Sequence, residues 1–129
     1  MRSGPPFLKK GERTNMIKKK DSNRSEIREH VKDGKGTVQF CHLFEQDELL
    51  GKARTFAVMK MKPGTSIGDH PHVGEAEAYY VLKGEVEVSD DGEKITLGEG
   101  DAMLTGEGHS HAIENKSAAD AEVLAIIML

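Results

Sequence analysis

Turn signals recur along this chain at intervals too short for helices. Lys62-Pro-Gly, Lys83-Gly, Asp90-Asp-Gly, Gly98-Glu-Gly and Gly106-Glu-Gly cut the sequence beyond residue 36 into short runs of apolar and β-branched residues. Such runs, bounded by Gly, Pro and Asp, read as β-strands. The expected strands are Thr37–Phe44, Arg54–Met61, Ser66–His70, Glu77–Leu82, Glu85–Ser89, Lys94–Leu97, Asp101–Leu104, His111–Glu114 and Glu122–Met128. No helical pattern of roughly 10–15 residues separates them, so an antiparallel sandwich or barrel is expected rather than a βαβ fold. Two short helical turns are expected as well. Ser25–Val31 has a capping serine and an Ile27/Val31 pair at i,i+4, and Phe44–Leu50 is the second.

At 129 residues the chain has room for one domain. Its net charge of −4 conceals a division. Residues 1–20 carry seven Lys/Arg against Glu12 alone, +6, which leaves −10 on the remaining 109. A basic arm can bind nucleic acid through counterion release, but this one lacks interleaved aromatics and the acidic body repels phosphate, so no nucleic-acid partner is expected. Residues 1–24, polar and with Pro5-Pro6, read as a disordered N-terminal extension to a barrel domain at 25–129. Met16, followed by Ile-Lys-Lys-Lys, resembles a second start, which makes residues 1–15 dispensable on this reading. The longest apolar run is Val123–Leu129, seven residues, against the roughly 20 of a membrane-spanning helix. No membrane partner is expected. The N-terminal charges precede no apolar stretch, and Cys41 is the single cysteine; both fit a cytoplasmic protein. Cys41, in a strand-like context, reads as a buried small hydrophobe rather than a nucleophile.

The strand Arg54–Met61 is apolar on both faces. Alternation places Ala57, Met59 and Met61 on one side and Phe56, Val58 and Lys60 on the other. The methionines read as core filling. The second face calls for a cover, either the N-terminal segment or a second subunit, and a homodimer is expected.

Histidines and acids concentrate between Gly64 and Asn115. His70-Pro-His72 directs two imidazoles to one side of a strand, within reach of a single ion. The full spacing from Gly64 is G-x5-H-x-H-x4-E-x6-G, through His70, His72, Glu77 and Gly84. From Gly100 it is G-x7-G-x2-H-x3-N, through Gly108, His111 and Asn115. These stretches resemble the two signature motifs of the cupin superfamily over about 50 residues. One departure is Gly106, where the second motif usually has Pro; one turn residue replaces another. The resemblance implies an all-β fold, an antiparallel double-stranded β-helix or jelly-roll barrel. It also implies a divalent metal held by His70, His72, Glu77 and His111. Among small single-domain cupins the sequence looks most like the oxalate-decarboxylase-related group, whose members commonly dimerise.

Three neutral imidazoles and one carboxylate leave a divalent ion at about +1, a site that attracts anions. On an octahedral ion two positions stay open, suited to chelating a carboxylate, a keto or hydroxy acid, or an enediol. The mixed N/O donor set suits Mn, Fe, Ni or Zn; raw affinity favours the later metals, whereas availability in the cell decides otherwise, and Mn or Fe is expected, with Zn or Ni as alternatives. Glu75 shares the parity of Glu77 and is an alternative ligand or an outer acid; Glu107 and His109 join it as catalytic candidates. Tyr79, on the face of Glu77, is expected to form a pocket wall, with Tyr80 pointing away. Asn115 is expected to stabilise a turn, and His30 and His42 receive no role.

Two functions follow. One is a Mn- or Fe-dependent enzyme, a decarboxylase, dioxygenase or isomerase acting on a small carboxylate, enediol or sugar-like compound. The other is a non-catalytic cupin that binds or senses a small anion. A purely structural storage-type barrel is disfavoured by the complete ligand set.

Overall fold

A computed structural model describes residues 16–129 of the chain. Among the described residues, ten strands form two sheets in which every pairing is antiparallel. They are β1 (Ser25–Glu29), β2 (Thr37–His42), β3 (Ala53–Met61), β4 (Ser66–Pro71), β5 (Ala76–Lys83), β6 (Val86–Asp90), β7 (Glu93–Leu97), β8 (Ala102–Thr105), β9 (Ser110–Glu114) and β10 (Ala121–Met128). A six-stranded sheet runs β1-β2-β3-β10-β5-β8, and a four-stranded one β4-β9-β6-β7. This is the expected jelly-roll barrel, with one strand more than the sequence reading supplied.

Strand alternation builds the core. Met59, Met61, Tyr79, Val81 and Val123 of the large sheet face Ile67, Val88 and Ile113 of the small one, all nearly inaccessible. The Met59 and Met61 expectation is met. On β4 the alternation is interrupted on purpose of the fold: Ile67 pairs with Ile113 and His70 with His111, so Gly68 and Asp69 together oppose Ala112 alone. This β-bulge shifts the side-chain parity, and both Ile67 and His70 face the interior.

Ser25–Val31 is not a helical turn. Ser25–Glu29 is strand β1, paired with β2 from Ser25↔Cys41 to Glu29↔Thr37. The i,i+4 pair that suggested a helix is not a buried stripe, since Ile27 is 68% exposed. What fixes β1 is a cross-strand polar cluster: Glu26 accepts from Arg24, Arg28 and buried His42. A tight turn at Val31–Asp33 follows. Phe44–Leu50 does hold turns, with the Leu49 amide donating to the Glu45 carbonyl at 3.1 Å, but no α-helix forms there.

Of the extension expected over residues 1–24, residues 1–15 lie outside the described residues, as does the expectation that they are dispensable. Residues 16–24 lie against the Phe44–Leu50 turns, through Lys18 to Glu48 at 2.6 Å and Arg24 to Glu45 at 3.0 Å. Cys41 departs from its expectation. It is half-buried on the outer face of β2 rather than in the core.

The second apolar face of β3 continues across the sheet. Val58 lies beside Leu124, which pairs with Tyr80, and Phe56 beside Ile126. Phe44 covers Phe56 edge-on at 5.6 Å, and Lys18 lies over the Phe44 ring. Beyond that end, among the described residues, Tyr80 and Leu104 remain 43% and 67% exposed. No helix of the described residues is long and apolar enough to cross a membrane.

Candidate metal centre

His70 and His111 come from paired strands of the small sheet, His72 from the residue following β4, and Glu77 from β5 of the large sheet. The barrel therefore closes around the four, and one ligating atom of each lies within 4.8 Å of every other. The His72 and His111 Nε2 atoms are 3.1 Å apart, and those of His111 and His70 3.2 Å. Glu77 Oε1 lies 2.9 Å from His72 Nε2 and 3.0 Å from His111 Nε2.

For two of the rings the far side decides the tautomer. His70 Nδ1–H donates to the Gly68 carbonyl at 2.7 Å, made available by the bulge. His72 Nδ1–H donates to Glu75 at 2.6 Å. Both rings thus turn an Nε2 lone pair toward the common point. His111 Nε2 stands between them, and one imidazole hydrogen cannot serve both neighbours and Glu77 at once. Buried lone pairs that converge without enough protons are repulsive unless a cation sits among them. The donor set therefore fits a divalent ion bound through three Nε2 atoms and one carboxylate oxygen, with one oriented outer partner for each of His70 and His72. His111 is fixed differently. It is fully buried, its Nδ1 has no partner among the described residues, and its ring stacks on Tyr79 at 4.8 Å and 5°. Burial, followed by Glu77, raises the Tyr79 hydroxyl well above its ordinary range, so it stays neutral. Burial lowers His70 from its ordinary value, which keeps that imidazole uncharged.

Glu75 sits outside the four. Arg54 donates to it twice, Nε at 2.9 Å and Nη2 at 2.7 Å, and the carboxylate passes the constraint to His72. Arg54 foremost, then His72, hold Glu75 down at about 2. Of the two acids it is Glu77 whose oxygen lies at the converging Nε2 atoms, while Glu75 is the outer acid. Arg54 was missed, because only the registers β3–β10–β5 bring it beside a residue 21 positions later. Glu107 and His109 lie outside the cluster, in a shallow surface depression with Leu104 and Met128. His109 pairs with Asp91, which raises its pKa. Tyr79 stands where expected and Tyr80 faces outward. Asn115 holds its turn, donating to the Met61 and Ala119 carbonyls.

His70, His72 and Glu77 line a cavity of about 210 Å³ whose walls include Met59, Ile67, Tyr79 and Ile127 and whose rim carries Arg28, Lys32 and Arg54. Ligand pockets for drug-sized molecules start at about 300 Å³, so this one suits a smaller ligand. A larger concavity, about 620 Å³, lies over Ser89 and Ala112 on the other face of the small sheet, lined by Asp69, Glu87, Asp91 and Glu114, without the cluster.

The family model for the cupin domain matches residues 57–127. This chain is a cupin. An oxalate-binding protein of Thermotoga maritima is 41% identical over 118 residues, covering 92% of this cupin and 98% of that protein. A crystal structure from Thermotoga maritima, described as a predicted oxalate decarboxylase, superposes with a TM-score of 0.84 at 40% identity, covering 88% of this chain and 99% of that one. A cupin-superfamily sugar phosphate isomerase from Silicibacter pomeroyi gives a TM-score of 0.67 over 84% of this chain and 73% of that one; at 19% identity that likeness concerns the fold.

Proposed function

We propose that this cupin binds a divalent metal through His70, His72, Glu77 and His111 and uses it to capture a small dicarboxylate of the size of oxalate. The observation that carries the reading is the convergence of three Nε2 atoms and one carboxylate, with His70, His72 and Glu77 of that group lining a 210 Å³ cavity. A bound divalent ion would supply Lewis acidity and adjacent open positions for chelation. The chain's own residues do the rest. Glu77 offsets one charge and leaves the centre near +1. Gly68 and Glu75 orient two imidazoles, and Tyr79 and Met59 exclude water from one wall. The mixed N/O donors accept Mn, Fe, Ni or Zn, and availability in the cell rather than raw affinity makes Mn or Fe the first metals to try. The name of the 41% identical relative supports oxalate as the first ligand to try.

The test is calorimetric titration of oxalate into protein loaded with Mn(II) and into protein stripped by chelator. Micromolar binding that requires the metal supports the reading; binding that ignores the metal overturns it. Turnover is a second reading, favoured by the description of the 40% identical structure as a predicted decarboxylase. Release of carbon dioxide by the loaded protein distinguishes an enzyme from a binder.

The uncovered face around Val58, Leu124 and Tyr80 is the surface we assign to a second copy. Light scattering is expected to give twice the 14.1 kDa of the chain; a monomer mass removes this part of the proposal.

A further inference from the structure

The rim of the metal cavity is not symmetrical in charge. Arg54 is engaged by Glu75, and Arg28 by Glu26, with the Arg28 guanidinium also lying over the Phe40 ring at 4.4 Å. Lys32 makes no ion pair with any described residue, yet it lines the same cavity. With a divalent ion the floor stands near +1, and Lys32 adds one. The uncompensated charge facing a ligand is then about +2, which a dianion neutralises and a monoanion does not.

Lys32 is also held there at a cost. His30, Lys32 and Asp33 all adopt left-handed backbone, φ 47°, 53° and 63°, in a segment with no glycine among them. Non-glycine residues avoid this region, and such strain persists where surrounding structure enforces it. The enforcement is visible. The Lys35 amide donates to Ser66 Oγ at 2.8 Å and the Ser66 amide returns to the Lys35 carbonyl at 2.9 Å. The segment lies so close to β4 that a β-carbon at Gly68 would collide with the Lys32 carbonyl, and one at Gly34 with the Ser66 carbonyl. The segment is thus clamped to the strand that supplies His70.

We propose that Lys32, presented by this clamped segment at the cavity mouth, is a specificity-determining residue that selects small dianions over monoanions by contacting the carboxylate oxygens turned away from the metal. The inference rests on the reading of the cavity as a metal-dependent anion site. Because the side chain is exposed, its effect is screened by salt.

Protein loaded with Mn(II), with metal content matched across variants, is titrated with oxalate and with glycolate. K32M is expected to weaken oxalate about tenfold and glycolate less than about twofold, K32R to stay within about threefold of the wild type, and the oxalate loss to shrink in 0.5 M salt. Unchanged oxalate affinity in K32M, or equal losses for both anions, overturns the role of Lys32 while the anion site stands. Failure of the wild-type loaded protein to bind either anion overturns the site reading and the inference with it.

Discussion

Glu75 and Glu77 are two residues apart on one face, yet they do different work, and what separates them is their neighbours. Glu77 reaches the imidazole Nε2 atoms, whereas Glu75 is gripped by Arg54 and holds His72 from behind. Outer partners of this kind orient the ligand and are worth about 10- to 100-fold in metal affinity. Glu75→Gln is accordingly expected to weaken Mn(II) binding about tenfold, with the fold retained, as read by competition against a chelator dye. An unchanged affinity would assign Glu75 to surface pairing only. The four candidate ligands were legible because their spacing is local to two short segments. The link from Arg54 to Glu75 was not, since it depends on β10 lying between β3 and β5. Sequence period gives parity but says nothing of which strands are neighbours.

Among elements, β1 and the turn after it were the hardest to read. Ile27 and Val31 at i,i+4 mimic an amphipathic helix, and only the cross-strand cluster around Glu26 shows why the segment is extended. That cluster makes a pH prediction. Arg28 first, with His42 and Arg24, holds Glu26 at about 2 against an ordinary 4.5. A carboxyl depressed in the folded state stabilises fully above its unfolded value and loses that contribution as pH falls from about 4.5 toward 2. Glu26→Gln is expected to cost about 1 kcal/mol above pH 5.5, after allowance for solvent screening. The difference in Tm from the wild type should vanish near pH 2, and a gap that is flat with pH would contradict the assignment. The bulge on β4 was equally hidden, because the sequence spacing His70-x-His72 does not reveal that parity resets at Gly68. Gly34→Ala forces a β-carbon against the Ser66 carbonyl; the expected loss is about 2 kcal/mol, a fall in Tm of about 5–10 °C, measured by calorimetry.

For the molecule as a whole, the division of charge read from the sequence acquires a structural meaning. The acidic body is a jelly roll whose inner cavity carries three cations at its rim, beside a cluster that fits a divalent ion. The jelly-roll class was legible because turn signals and alternation are local properties, and so was the apolar outer face of β3. What covers that face is not encoded in any single strand. A chain beginning at Met16 is expected to keep the full-length Tm and metal content, which would place the first 15 residues outside the folding unit; loss of either would tie them to it. The central claim is that His70, His72, Glu77 and His111 hold one divalent ion. Bound metal per chain after equilibrium dialysis against Mn(II) tests it most directly, in the wild type and in the His72→Ala/Glu77→Ala double variant, each checked for folding by circular dichroism. About one ion per chain in the wild type and less than about a tenth in the double variant is the predicted result; a folded double variant that retains the wild-type metal content would contradict it.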